Sequence, residues 1–154
     1  MANNPVDPEH QSAGAWAKKY YFATRVVMEA VLRPYGVGPT QWYVMHQLMT
    51  VGPTSQRDLA RMLQIERATL TGVVAALVRK GLVEQKPDAT DQRQKVLNAT
   101  PAGAALWQEL PDPIALILET AFDGIAQAEI DTTARVLREA TGKLTALFPK
   151  GNES

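Results

Sequence analysis

The 154 residues carry 16 basic and 16 acidic side chains, so the chain is neutral overall, and cysteine is absent. That absence excludes disulfides, thiol catalysis, thiolate metal sites and a cysteine-based oxidation sensor. With 45% hydrophobic and 21% charged residues, the composition is globular and not that of a disordered chain. No apolar run approaches the roughly 20 residues that span a bilayer. The polar start, Met1 to Ala13, reads as neither signal peptide nor anchor. The expectation is a cytoplasmic protein with no membrane contact, one domain at about 13–147, and flexible ends at 1–12 and 148–154.

In chain order, Ala15 to Leu32 lacks proline and glycine, and Trp16, Tyr20, Val27 and Val31 trace a helical stripe. Pro34, Gly36, Gly38 and Pro39 break it. Thr40 is placed to cap a second helix, Gln41 to Met49, with Trp42, Met45 and Met49 on one side, and Gly52-Pro53 ends it. Ser55 can cap a short helix, Gln56 to Leu63, that turns Leu59, Ala60 and Leu63 inward. After a tight turn, Arg67 to Lys80 reads as a longer helix with Leu70, Val73, Val74 and Leu77 on its inner face, and Gly81 stops it in the left-handed conformation.

Leu82 to Lys86 is β-prone and alternating, and Pro87 to Asp91 is rich in turn formers; Val96 to Ala99 can return as a strand. Thr100-Pro101 is a helix start. Helix is expected from there to Leu147, broken or kinked at Pro111-Asp112-Pro113. Two helices joined by a tight turn and followed by a β-hairpin make a winged helix-turn-helix, at about residues 40–100. The predicted fold is therefore mainly α with a small β-hairpin.

Charge is unevenly placed along this order. Residues 55–100 hold eight basic side chains (Arg57, Arg61, Arg67, Arg79, Lys80, Lys86, Arg93, Lys95) against five acidic ones, net +3. Residues 1–54 are net +1 and residues 101–154 net −4. The middle third is thus the candidate phosphate-facing surface.

In a helix-turn-helix the second helix enters the major groove, so its outer face must be small or polar. With its apolar face buried, Arg67, Ala68, Thr69, Thr71 and Gly72 point outward, with Ala75 and Ala76 further on. Alone, this is also the pattern of an ordinary amphipathic helix. The hairpin tip separates the two. A narrow minor groove concentrates negative potential and admits an arginine from a protruding loop. Asp91, two residues before Arg93, is placed to pair with its guanidinium and aim it.

The run Asp91-Gln92-Arg93-Gln94-Lys95-Val96-Leu97-Asn98-Ala99-Thr100-Pro101-Ala102-Gly103 resembles the wing and following helix start of MarR-type regulators: Asp-x-Arg, an apolar strand, then Thr-x-x-Gly. Leu59-Ala60-Arg61-Met62-Leu63, Ala68-Thr69-Leu70-Thr71 and Lys80-Gly81-Leu82-Val83 are similar to that family's helix-turn-helix, and Gln41-Trp42 to the start of its second helix. The resemblance implies a homodimer held by outer helices at about 14–33 and 113–147, presenting two recognition helices and two wings to a pseudo-palindromic operator in double-stranded DNA. By position, Thr69 and Thr71 would lie at the major groove, and Arg67 and Gly72 share their outward face as candidate DNA contacts. Arg93 would enter the minor groove beside Lys95, with Asp91 orienting it, and Ser55, Gln56 and Arg57 would lie near phosphates. Gln92, Ala99 and Glu66 depart from the pattern: less charge on the wing, a trimmed strand, a weak cap.

The resemblance also implies repression relieved by a small ligand, often a phenolic or aromatic carboxylate, with Trp16, Tyr20, Arg25, Trp42 and His46 as candidate lining. The same aromatics could equally be dimer core, Arg25 part of an inter-subunit ion pair, and His46 a satisfied, half-buried histidine. No cofactor is expected. With His10 and His46 the only histidines, neither a transition-metal sensor nor an enzyme is indicated: no nucleophile–base pair, phosphate loop or ligand spacing is visible. A winged-helix protein-interaction module without DNA binding stays open as the alternative.

Overall fold

The computed structural model describes residues 12–149; the segments expected to be flexible, and His10 with them, lie almost wholly outside the described residues. Among the described residues, seven helices and three short strands follow in the order α1 (Ala13–Leu32), a 3₁₀ turn (Arg33–Tyr35), α2 (Pro39–Thr50), β1 (Thr54–Ser55), α3 (Gln56–Leu63), α4 (Arg67–Arg79), β2 (Val83–Pro87), β3 (Lys95–Ala99), α5 (Pro101–Glu109), α6 (Pro113–Ala121) and α7 (Gln127–Leu147). Two compact units divide the chain, one running to Pro113 and one from Ile114.

The first unit is the winged helix-turn-helix together with α1. Its core joins α2, α3, α4, the sheet and α5 through Val44, Met45, Leu48, Leu59, Leu70, Val74, Leu77, Leu82, Val83 and Leu97. Fully burying a leucine contributes about 1.5–3 kcal/mol, and Leu59, Leu70, Leu77 and Leu97 are all fully buried. These four fix α3, α4 and β3 against one another, which sets the attitude of the recognition helix.

Local signals account for most boundaries. Ser12 caps α1 through its side chain, accepting from the Ala15 N–H at 3.1 Å, and Ser55 caps α3 by accepting from the Asp58 N–H at 3.1 Å. Gly81, at φ +72, ends α4: its N–H donates to the Val78 carbonyl at 2.9 Å and that of Leu82 to the Leu77 carbonyl at 3.0 Å. This is the Schellman arrangement, sealed by the buried pair Leu77 and Leu82.

Four expectations need correction. α2 starts at Pro39, not Gln41, with Gly38 and not Thr40 as its cap; proline carries the helical φ already, and the Gln41 side chain accepts from the Gly38 N–H at 3.3 Å. The hairpin gains a third strand. β1 pairs antiparallel with β3, Thr54 opposite Leu97 and Ser55 opposite Val96, giving the order β1-β3-β2. β2 begins at Val83, because Leu82 is taken up by the cap of α4. The span 113–147 is not one helix: Gly124, at φ +76, interrupts it between α6 and α7.

On α1 only Met28 and Leu32 are buried; the expected stripe Trp16, Tyr20 and Val27 is exposed and Val31 half-buried. In the second unit α7 buries none of its 21 residues. Val136 at 44% exposure and Leu144 at 69% show how much apolar surface that leaves bare. No helix among the described residues is long and apolar enough to cross a membrane.

Candidate nucleic-acid interface

The outer face of α4 is as small and polar as the sequence requires. Leu70, Val74 and Leu77 are buried and Val73 half-buried, while Arg67, Ala68, Thr69, Thr71, Gly72 and Ala75 are exposed. Thr71 is exposed, and its Oγ1 donates to the Arg67 carbonyl at 2.8 Å. Glu66 at the cap makes no side-chain bond to the helix, so the first N–H groups of α4 are unclaimed by it.

The first turn of α3 is fastened to the wing. Gln85 Nε2 in β2 donates to Gln56 Oε1 at 2.7 Å. Arg57 Nε lies 2.9 Å from the Gln94 side-chain oxygen in the amide orientation that satisfies both groups. Two of the three residues expected at phosphates, Gln56 and Arg57, thus also support the wing, and Ser55 both pairs in β1 and caps α3. Sequence reading missed Gln85 and Gln94, whose partners lie 29 or more residues away with no periodic signal to join them.

The wing tip is a set of interlocked turns. The Asp88 N–H donates to the Gln94 carbonyl at 2.9 Å, and the Gln94 N–H to the Asp91 carbonyl at 2.9 Å. Thr90 donates to Asp88 Oδ1 from its N–H at 2.9 Å and its hydroxyl at 3.0 Å, which holds the Asp88 carboxyl below its ordinary range. Asp91 acts on Arg93 differently from expected. Its Oδ1 accepts from the backbone N–H of Arg93 at 3.1 Å, and no ion pair to the guanidinium forms among the described residues. A carboxylate two residues back closes an Asx turn more readily than it meets a long side chain. Arg93 is therefore aimed through its backbone, and its exposed guanidinium is left free to reach outward. Lys95, also exposed, lies opposite Pro87 at the base of the wing loop.

Behind the interface, Thr100 and Gly103 clasp the end of the recognition helix. The Thr100 hydroxyl donates to the Gly81 carbonyl and accepts from the Gly103 N–H at 3.0 Å, while the Thr100 N–H donates to the Leu82 carbonyl at 3.1 Å. Gly103 is buried so tightly that a Cβ would press into the Leu82 carbonyl oxygen. The Thr-x-x-Gly pattern is thus the joint between α5 and the exit of α4.

Of the five residues named for a ligand, two come together. Trp42, buried, stacks on exposed His46 with ring centroids 5.0 Å apart. Trp107 of α5 completes the cluster, 5.5 Å from Trp42 and 5.9 Å from His46. Sequence reading missed Trp107, although Gly103, Leu106 and Trp107 follow an i, i+3, i+4 spacing that marks the inner face of α5. Trp16 and Tyr20 remain on the exposed face of α1. Arg25 meets Tyr21, Nη1 to the hydroxyl at 3.4 Å. Burial pushes the Tyr43 hydroxyl up from its ordinary value, and the charge of Arg25 opposes that shift.

The sequence pattern of the MarR family matches residues 35–94, from the 3₁₀ turn to the wing tip. Over this stretch the chain is similar to the MarR family. The repressor NicR of Pseudomonas putida, an HTH-type transcriptional repressor, is 30% identical over 106 residues, 69% of this chain. That stretch covers 66% of NicR, so the chain spans just under two thirds of this curated relative. Among solved structures, BpsR of Bordetella bronchiseptica, whose DNA binding is regulated by 6-hydroxynicotinic acid, superposes with a TM-score of 0.76 at 23% identity, covering 90% of this chain and 98% of BpsR. A mutant of MarR from E. coli complexed with operator DNA gives 0.75 at 19% identity, over 89% and 99%. At these identities the two structures establish the MarR winged-helix fold.

Proposed function

We propose that this chain is a MarR-type, homodimeric, sequence-specific DNA-binding repressor of the cytoplasm, released from its operator by a small aromatic acid. One observation carries the reading: α4 presents a small, polar face beside a wing whose turns hold Arg93 outward. Thr69, Thr71 and Gly72 allow close approach to base edges in the major groove, with Arg67 at the entering end. Arg93 and Lys95 take the adjoining minor groove and backbone. The N-terminus of α3 at Ser55, with Gln56 and Arg57, meets phosphates and fixes the register.

The bare apolar residues of α1 and α7 support the homodimer, since monomers rarely leave such surface uncovered. A two-fold dimer presents two such lobes, which suits a pseudo-palindromic operator. Repression follows the naming of NicR, and an aromatic acid follows BpsR. The Trp42–His46–Trp107 cluster offers ring faces for stacking, with Trp16, Tyr20 and Arg25 of α1 as further lining once a second subunit is in place. An effector acts only by its different affinity for the operator-bound and released arrangements.

Fluorescence anisotropy on the duplex upstream of the chain's own reading frame tests this. With 6-hydroxynicotinic acid as probe, operator affinity should fall about fivefold or more. Unchanged affinity with this acid and with a panel of benzoic and hydroxybenzoic acids would remove the effector from the account. Absence of any DNA binding would remove the repressor.

A further inference from the structure

We infer that Lys80 is a positioning residue: its ammonium ties the end of the recognition helix to the corner between α1 and α2, so that movement of α1 is passed to α4. Its effect on DNA rests on the repressor reading above; the tie itself does not.

Lys80 is the C-terminal cap of α4, and its Nζ donates to two acceptors far away in sequence, the Gly36 carbonyl and Gln41 Oε1, the latter at 3.1 Å. Both acceptors belong to one short corner. Gly36, at φ +69, closes the 3₁₀ turn that continues α1 without a gap, its N–H donating to the Arg33 carbonyl at 3.0 Å. Gln41 Oε1 also accepts from the Gly38 N–H at 3.3 Å, which starts α2. A single amide oxygen therefore serves both the cap of α2 and the ammonium of Lys80. Three elements, α1 through its 3₁₀ extension, α2 and α4, converge on one charge.

Two further features fit a tie. A cation at this point faces the negative end of the α4 dipole, which favours it there. The ammonium also lines an open cleft together with Glu29 of α1, Arg33 of the 3₁₀ turn and Val37. Lys80 is not at the groove-facing end of α4. At 1.5 Å per residue, Thr69 lies roughly 17 Å away along the helix. Because α1 carries the bare aromatic face that the dimer covers, Lys80 stands between the subunit interface and the recognition helix, where a discrete link can turn a shift of one into a shift of the other.

Lys80→Met removes the donors and keeps the aliphatic stem. Two readouts decide the matter. Amide hydrogen exchange on the DNA-free protein should show loss of protection at residues 36–41 and in the last turn of α4 together. Operator affinity should fall about fivefold with the slope of log K against log salt unchanged, since no phosphate contact is lost. Unchanged protection at either segment, unchanged affinity, or a slope that falls along with the affinity would each overturn the inference, the last by making Lys80 a phosphate contact. If wild-type protein binds no operator, the repressor reading fails while the exchange result still decides the tie. Should Lys80→Met not fold, Lys80→Gln carries the same readouts.

Discussion

Gly103→Ala should destabilise the protein by about 3 kcal/mol, the upper part of the range for overpacking a tight core. In an open helix the same change would stabilise by about 1 kcal/mol, because glycine is a poor helix former. Here the new methyl meets a backbone carbonyl. It would press into the Leu82 oxygen, and it would lie 3.0 Å from the Leu82 carbon and 3.2 Å from Met45 Cε. The methionine can swing aside, but the carbonyl cannot. It accepts from the Thr100 N–H at 3.1 Å, and Leu82 donates back to Leu77 at 3.0 Å. α5 must lift away, which weakens the clasp on the exit of the recognition helix. Urea unfolding should show a midpoint lowered by about 1–2 M, given ordinary slopes for a chain of this size. A variant as stable as wild type would mean that α5 does not pack on Leu82 as described.

Arg93→Ala should weaken operator binding about tenfold or more while leaving the fold intact. The side chain is exposed and the wing turns are held by backbone bonds, so the substitution should fall within about 0.5 kcal/mol of wild-type stability. A dimer would lose two arginines from two minor grooves, and the slope of log K against log salt should fall by about two. Tenfold corresponds to about 1.4 kcal/mol. Unchanged affinity in a titration at moderate salt would place the wing away from DNA.

Where one residue type does one local job, the sequence is a good guide. The Ser55 cap, the Gly81 stop, the Thr100-Pro101 start and the inner face of α4 all lie where their local chemistry requires. β1 is hidden because two residues carry no alternation, and its existence depends on β3 being within reach. The break between α6 and α7 depends on Gly124 adopting positive φ, one turn beyond an apolar run that would otherwise continue the helix.

The candidate interface was legible in outline but not in its supports. The Asp-x-Arg spacing marks the wing tip correctly, yet spacing alone cannot say whether the carboxylate meets the guanidinium or the amide of Arg93. The turn geometry selects the amide. Gln56 and Arg57 open α3 behind the Ser55 cap, but their bonds to Gln85 and Gln94 are long-range side-chain contacts that no local pattern encodes. The aromatic residues show the same limit. Trp42 and His46 share a helix face and meet, whereas Trp107 arrives from another helix.

The central claim is that a dimer of this chain grips DNA through α4 and the wing, and one titration tests it most directly: affinity for the upstream duplex measured at several salt concentrations, beside a scrambled duplex of equal length. The account predicts one dimer per site, affinity for the upstream duplex at least a thousandfold above the scrambled one, and log K falling linearly with log salt with a slope that reflects several neutralised phosphates. Equal, weak and salt-insensitive binding to both duplexes would contradict it.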